Sequence, residues 1–153
     1  MSTSTDRIER KILLKAPRSR VWRAISDPKE FGAWFGVSLQ GKSMVAGQPL
    51  RGHVTHPGYE HVVFEAWIER VEPEHLLSWR WHPYAIDPAV DYSSEPTTLV
   101  VFELQEVDGG TALSVVESGF DKVPPARRVT AFRMNSGGWD QQMLNIAKHV
   151  AAP

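Results

Sequence analysis

A chain of 153 residues, 42% of them hydrophobic, has enough material for one domain with a buried core. Its 17 basic residues are balanced by 18 acidic ones, so no overall charge draws it to nucleic acid or to an anionic membrane surface. The absence of cysteine excludes a disulfide framework and thiolate catalysis, and removes the commonest structural zinc ligand.

The opening MSTSTDRIERK lacks the apolar stretch of a secretory signal, and no later run approaches the ~20 apolar residues of a membrane span. A single cytoplasmic domain over residues 1–153, without membrane insertion, is the expectation. IERKILLKA (8–16) mixes apolar and charged residues as a half-buried strand does, and Pro17 sits where the first turn of a helix tolerates it. In PRSRVWRAIS the apolar Val21, Trp22 and Ile25 recur at helical spacing. SDP (26–28) ends that helix and supplies the cap and proline of a second, short and aromatic one, PKEFGAWFG. From about residue 37 to 119 the runs are strand-like: VSLQG, PLRGHVTH, HVVFEAWIERV, LLSWRW, TLVVFELQEV and TALSVVESG. Asp108-Gly109-Gly110 marks a hairpin between the last two. Residues 125–151 regain a helical period, with Val129, Phe132, Ser136, Trp139, Met143, Ile146 and Val150 three or four apart. That stripe predicts Met143 and Ile146 inside and Gln141, Asn145 and Lys148 outside. The order predicts an α+β fold, with a curved antiparallel sheet of about six to seven strands wrapped around a long C-terminal helix and two short helices after the first strand.

Four segments, APRSRVWRAISDPKEFGAWFG, VEPEHLLSWRW, TTLVVFELQEVDGGTALSVVESGF and GGWDQQMLNIAKHV, carry a family resemblance in this order. Together they resemble the START-like (SRPBCC, helix-grip) superfamily, in the bacterial branch named after the activator of the heat-shock chaperone ATPase. The resemblance implies a cavity between sheet and helix, which in relatives holds lipids, hormones or polyketide-like molecules. It leaves function open, since the fold hosts binders, cyclases, co-chaperones and resistance proteins. HPYAIDPAVDYSSEP (82–96) departs from the pattern as a long connection with three prolines, two tyrosines and two aspartates. It reads as a flap at a cavity mouth, as a subunit interface of a homodimer, or as a disordered segment.

Strand alternation puts Leu77, Trp79 and Trp81 on the inner side and Arg80 on the outer. Trp79 is expected in the core and Trp81, at the strand end beside the 82–96 connection, on a pocket wall. Large rings at Trp34, Phe35, Phe64, Phe102, Phe120, Phe132 and Trp139 exceed what a small core needs, so some should line a cavity suited to flat apolar ligands. Ser136 and Met143 fall on the helix stripe facing it. Glu117 shares a face with Leu113 and Val115, which makes it an inward acid with Arg133 as candidate partner, unless the strand leaves the sheet there and the carboxylate reaches water, as the rarity of unpaired buried glutamate favours. An inward Glu117 would be a proton donor to a ligand or a weak general acid or base.

His56 and His61 could meet across the PGYE turn, but two ligands do not make a zinc site, and no metal or other cofactor is expected. No serine lies in a nucleophile elbow, and NSGGW lacks a P-loop lysine. Gly137 and Gly138 inside a helical pattern suggest close approach to a ligand or strand, or a break. Three functions compete: binding of a hydrophobic, aromatic or lipid-like small molecule, favoured by the rings and the lack of a catalytic set; a protein-interaction module such as a co-chaperone with a chaperone partner; and a cyclase or hydrolase using Glu117, Arg133 or a histidine on a polyketide-like substrate.

Overall fold

The computed structural model describes residues 5–39, 41–87 and 89–151. Strand β1 (Arg7–Leu14) leads through Pro17 into helices α1 (Arg18–Ser26) and α2 (Pro28–Phe35), and strands β2 (Pro49–His53), β3 (Val63–Glu72), β4 (Leu76–Trp81), β5 (Thr98–Val107) and β6 (Gly110–Ser118) follow. A short 3-10 turn, Phe120–Lys122, precedes the 27-residue helix α3 (Pro125–Ala151). The six strands form one antiparallel sheet in the order β1-β6-β5-β4-β3-β2. This is the α+β arrangement that the periodicities predict, and the helix-grip order of elements that the resemblance implies. None of the described helices is long and apolar enough to cross a membrane.

Local chemistry accounts for the joints. The Asp27 side chain accepts a hydrogen bond from the Lys29 amide at 3.0 Å and Pro28 occupies the first turn of α2, so one dipeptide ends α1 and starts α2. Gly36 closes α2 in the left-handed region at φ 95°. The strand expected at VSLQG reduces to a single bridge between Val37 and Val54, with Gln40 outside the described residues. In the β5–β6 hairpin Gly110 pairs with Val107, and a Cβ on Gly110 would lie 2.0 Å from the Leu14 carbonyl oxygen, an approach only glycine allows.

The core lies between the concave sheet face and the helices. Across neighbouring strands Leu77 faces Phe102, which faces Val115, while Trp79 faces Val100, which faces Glu117. From α3, Trp139, Met143 and Ile146 are buried, whereas Gln141 and Lys148 are exposed and Asn145 is half-buried. Two features of the sheet position the site. The same register brings Trp81, Thr98 and Glu117 to one end of one face. Trp67, opposite Arg80, is the last β3 residue toward the loop end to pair with β4, so Val63–Ala66 of β3 run on without β4 beside them. The sheet therefore parts where the 82–96 segment leaves it.

Candidate functional site

A cavity of about 550 Å³ occupies that opening. Phe35 at the end of α2, Phe64 of β3 and Trp81 of β4 supply its inner rings, Tyr84 and Tyr92 of the 82–96 segment supply its outer ones, and Asn135 and Gln142 of α3 border its inner end. A smaller adjoining chamber of about 170 Å³ is bounded by Phe35, Trp81, Asn135, Gly138, Trp139 and Gln142. The rings of Phe35, Trp81 and Trp139 pack together, with centroid separations of 6.1–6.2 Å, and Phe64 lies 5.7 Å from Trp81. They form a continuous aromatic surface rather than isolated side chains.

Behind this surface sits Glu117, with no solvent exposure. Its Oε2 accepts from Trp81 Nε1 at 2.7 Å and from Thr98 Oγ1 at 2.5 Å. Its Oε1 accepts from Trp139 Nε1 at 2.9 Å and from Asn135 Nδ2, also at 2.9 Å. Asn135 Nδ2 lies 3.2 Å from Oε2 as well. Indole and amide N–H groups are donors only, so the carboxyl group acts as an acceptor at both oxygens. One residue thereby fixes the orientation of two cavity-wall indoles and links β4, β5, β6 and α3. A buried charge is tolerated only when hydrogen-bonded to this degree.

The described residues of the 82–96 segment, 82–87 and 89–96, border the cavity as a flap and are tied to Arg127, in the first turn of α3. Its Nε and Nη2 donate to Glu95 Oε1 at 3.1 and 2.8 Å, and its Nη1 donates to the carbonyls of Pro83 and Tyr84 at 3.0 and 3.3 Å. The guanidinium also lies 4.7 Å from the ring centroid of Tyr92, a cation–π contact. Among the charged groups lining the cavity, Arg51 is paired with Glu65 at 2.8 Å. Asp91 is the other acid; hydrogen bonds from Ser93, first from its backbone amide, hold its carboxyl below the usual range. His56 packs against Tyr59 with ring centroids 5.5 Å apart, and His53 Nδ1 lies 3.0 Å from the Glu60 carbonyl.

The model of the family described as "Activator of Hsp90 ATPase homolog 1-like protein" matches residues 15–151. The chain belongs to that family. No protein of curated function matches it. Its fold is similar to that of DynU16, a protein of the dynemicin biosynthetic locus, at 23% identity and a TM-score of 0.73, over 96% of this chain and 48% of DynU16. This chain thus spans about half the length of DynU16. A Mesorhizobium loti protein matches at 23% identity with a TM-score of 0.70 over 95% of this chain and 96% of its own. An Arthrobacter aurescens protein, solved by NMR, matches at 12% identity with a TM-score of 0.80 over 99% and 91%. These likenesses concern the fold alone.

For this family member, the structure brings Phe35, Phe64, Trp81 and Trp139 together at the two chambers. Trp79 is in the core, 1% exposed, against Phe31 and Phe102. Phe102 is likewise fully buried, and Met143 is buried on the helix side. Trp34 is buried, its Nε1 donating to the Ala24 carbonyl at 2.8 Å, which ties α2 to α1. Phe120 and Phe132 stack edge-on at 5.1 Å, away from both chambers. Ser136 Oγ accepts from Arg10 Nη2 at 2.7 Å, part of an α3–β1 link that also pairs Arg10 with Asp140. Arg133 is exposed on the outer face of α3 and is not the partner of Glu117; its place is taken by Asn135, two positions and about 200° further round the helix. Sequence reasoning overlooked Asn135, which stands four residues before Trp139 on the same face and was legible from that spacing. Thr98 and Arg127 carried no such signal, because their partners come from distant segments.

Gly137 and Gly138 do not break α3, and a Cβ built on either would meet no atom within 4 Å. Neither glycine is therefore required by close packing against a strand. Gly138 instead leaves open the space of the smaller chamber.

Proposed function

We propose that the protein binds an apolar small molecule with an aromatic or lipid-like body in the cavity between β3, β4, the flap and α3. The observation that carries this reading is the aromatic surface of Phe35, Phe64 and Trp81 inside a space of about 550 Å³, within the 300–1,000 Å³ usual for ligand sites. Family membership and the helix-grip fold support a small-molecule site in general terms. Catalysis by Glu117 has less support, because both its oxygens are committed to donors and it does not line either chamber. A chaperone partner, suggested by the family's name, would need a docking face, and the exposed apolar residues of α3, Val129, Met134 and Leu144, are interspersed with polar and charged ones.

Native mass spectrometry of the purified protein, together with titration of a neutral naphthalene probe followed by tryptophan quenching, tests the proposal. Binding predicts a retained small-molecule mass or saturable quenching, weakened about tenfold or more by Trp81→Ala, which removes a wall ring. A protein that retains no small molecule and gives only linear, unsaturable quenching does not have this function.

A further inference from the structure

Three features of the inner end of the cavity concern charge, and they agree. First, Glu117 is fully buried and makes no ion pair with any Lys, Arg or His among the described residues; its partners are two indoles, an amide and a hydroxyl. Those groups satisfy its lone pairs without neutralising its charge. Second, the two indoles are the ones that face the chambers. An N–H donated to a carboxylate polarises the ring behind it, adding to the negative potential that an aromatic face already presents. Third, the Asn135 amide nitrogen is directed at Glu117, so the polar atom it has left for a ligand is its carbonyl oxygen, an acceptor. Gln142 does not add to this, since its Oε1 accepts from Asn145 Nδ2 at 3.0 Å and its Nε2 donates to the Phe35 carbonyl at 2.9 Å.

The remaining charges on the lining point the same way. Arg51 on the lining is taken up by Glu65, and among the described residues Asp91 makes no salt bridge, though His82 of the lining also acts on it electrostatically. Among the described residues no Lys, Arg or His borders the smaller chamber at the inner end. Resting on the reading that the cavity holds an apolar small molecule, we propose that it selects organic cations: ligands whose aromatic or aliphatic body carries an ammonium group, seated against the faces of Trp81 and Trp139 beside the Asn135 carbonyl. The flap shows the same chemistry within the chain, where the Arg127 guanidinium lies over Tyr92.

Three probes of one shape decide the matter: 2-naphthylmethyl-trimethylammonium, its neutral isostere 2-neopentylnaphthalene, and the anionic 2-naphthylmethanesulfonate. Each is titrated into the full chain by calorimetry and tryptophan quenching. The cation should bind about tenfold or more tighter than the neutral isostere, as a desolvated cation–π contact provides, and the sulfonate weakest of the three. Glu117→Gln should lower the cation's affinity by at least about fivefold more than the neutral compound's, closing the gap between the two. If that variant does not fold, the wild-type ranking still decides. Equal or tighter binding of the neutral isostere overturns the cation preference and leaves the cavity reading standing. Failure of all three to bind overturns both. Choline-headgroup vesicles, run alongside, distinguish a lipid source of the ammonium from a free metabolite: co-sedimentation assigns the former, and soluble binding alone the latter.

Discussion

Replacing each of the neighbouring tryptophans by phenylalanine separates a ring that packs from a ring that is held. Trp81→Phe keeps most of the aromatic surface but removes the 2.7 Å hydrogen bond from its indole to the buried Glu117. A bond to a charged, buried acceptor contributes about 1.5–3 kcal/mol, and the oxygen left behind keeps only the Thr98 hydroxyl and the longer Asn135 contact. For a chain of 153 residues each kcal/mol moves the melting temperature by about 2–4 °C, so a loss of roughly 3–12 °C is expected. Trp79→Phe is different. The Trp79 Nε1 is buried without a hydrogen-bond partner, and removing an unsatisfied donor relieves about 1–3 kcal/mol. The smaller ring forfeits about 1–2 kcal/mol of contacts with Phe31 and Phe102. The two effects nearly cancel. Thermal and urea melts of the wild type and both variants measure the contrast, and a larger loss for Trp79→Phe than for Trp81→Phe would refute the role given to Glu117.

Gly138→Ala should raise stability by about 1 kcal/mol, because the added Cβ meets nothing within 4 Å and alanine is the better helix former; Gly138→Leu should fold as well and weaken binding of a naphthalene probe by filling the smaller chamber. A destabilised Gly138→Ala would show that the glycine is there for packing. Arg127→Met removes the ion pair to Glu95 and the bonds to Pro83 and Tyr84, so amide exchange over 83–95 should accelerate at least tenfold while exchange in β5 and β6 stays unchanged. Glu30 of α2 is bonded to Arg20 and Arg23 of α1 and His149 of α3; burial opposes its ionisation, but the His149 and Arg20 hydrogen bonds and the Arg20 and Arg23 charges outweigh that and hold its carboxyl below the usual range. The depressed pKa means stability that is present above the unfolded-state value and lost as pH falls through the folded one. Glu30→Gln should therefore flatten the acid limb of a stability–pH profile and leave a smaller wild-type advantage at low pH than at pH 7.

The architecture was legible because its signals are local and periodic. Asp27-Pro28 marks the α1–α2 junction, Asp108-Gly109 the last hairpin, and the stripe through Trp139, Met143 and Ile146 the buried side of α3. Alternation alone put Trp79 and Trp81 on one face; it could not say which of them meets a cavity, since that depends on where β4 stops pairing with β3. The VSLQG run looked like a strand but follows the left-handed Gly36 and is left with one bridge. Glu117 was readable as inward, yet its satisfaction by neutral donors was not. A charge suggests a charged partner, and Arg133 was the candidate on α3, whereas four neutral groups from β4, β5 and α3 satisfy the carboxylate's lone pairs. Such convergence leaves no trace in spacing.

The way Glu117 joins sheet to helix also sets a route and a rate. Lifting the middle of α3 from the sheet would strip a buried carboxylate of its Asn135 and Trp139 donors at once, a cost met only in near-global unfolding. The flap hangs mainly from one arginine at the edge, with Arg127 and Glu95 about one-fifth exposed and open to competition from water. Exchange of a bound molecule should then be governed by the flap's hinge motion on the microsecond-to-millisecond scale, with the helix as a fixed wall, so that residence time and global stability can be altered independently.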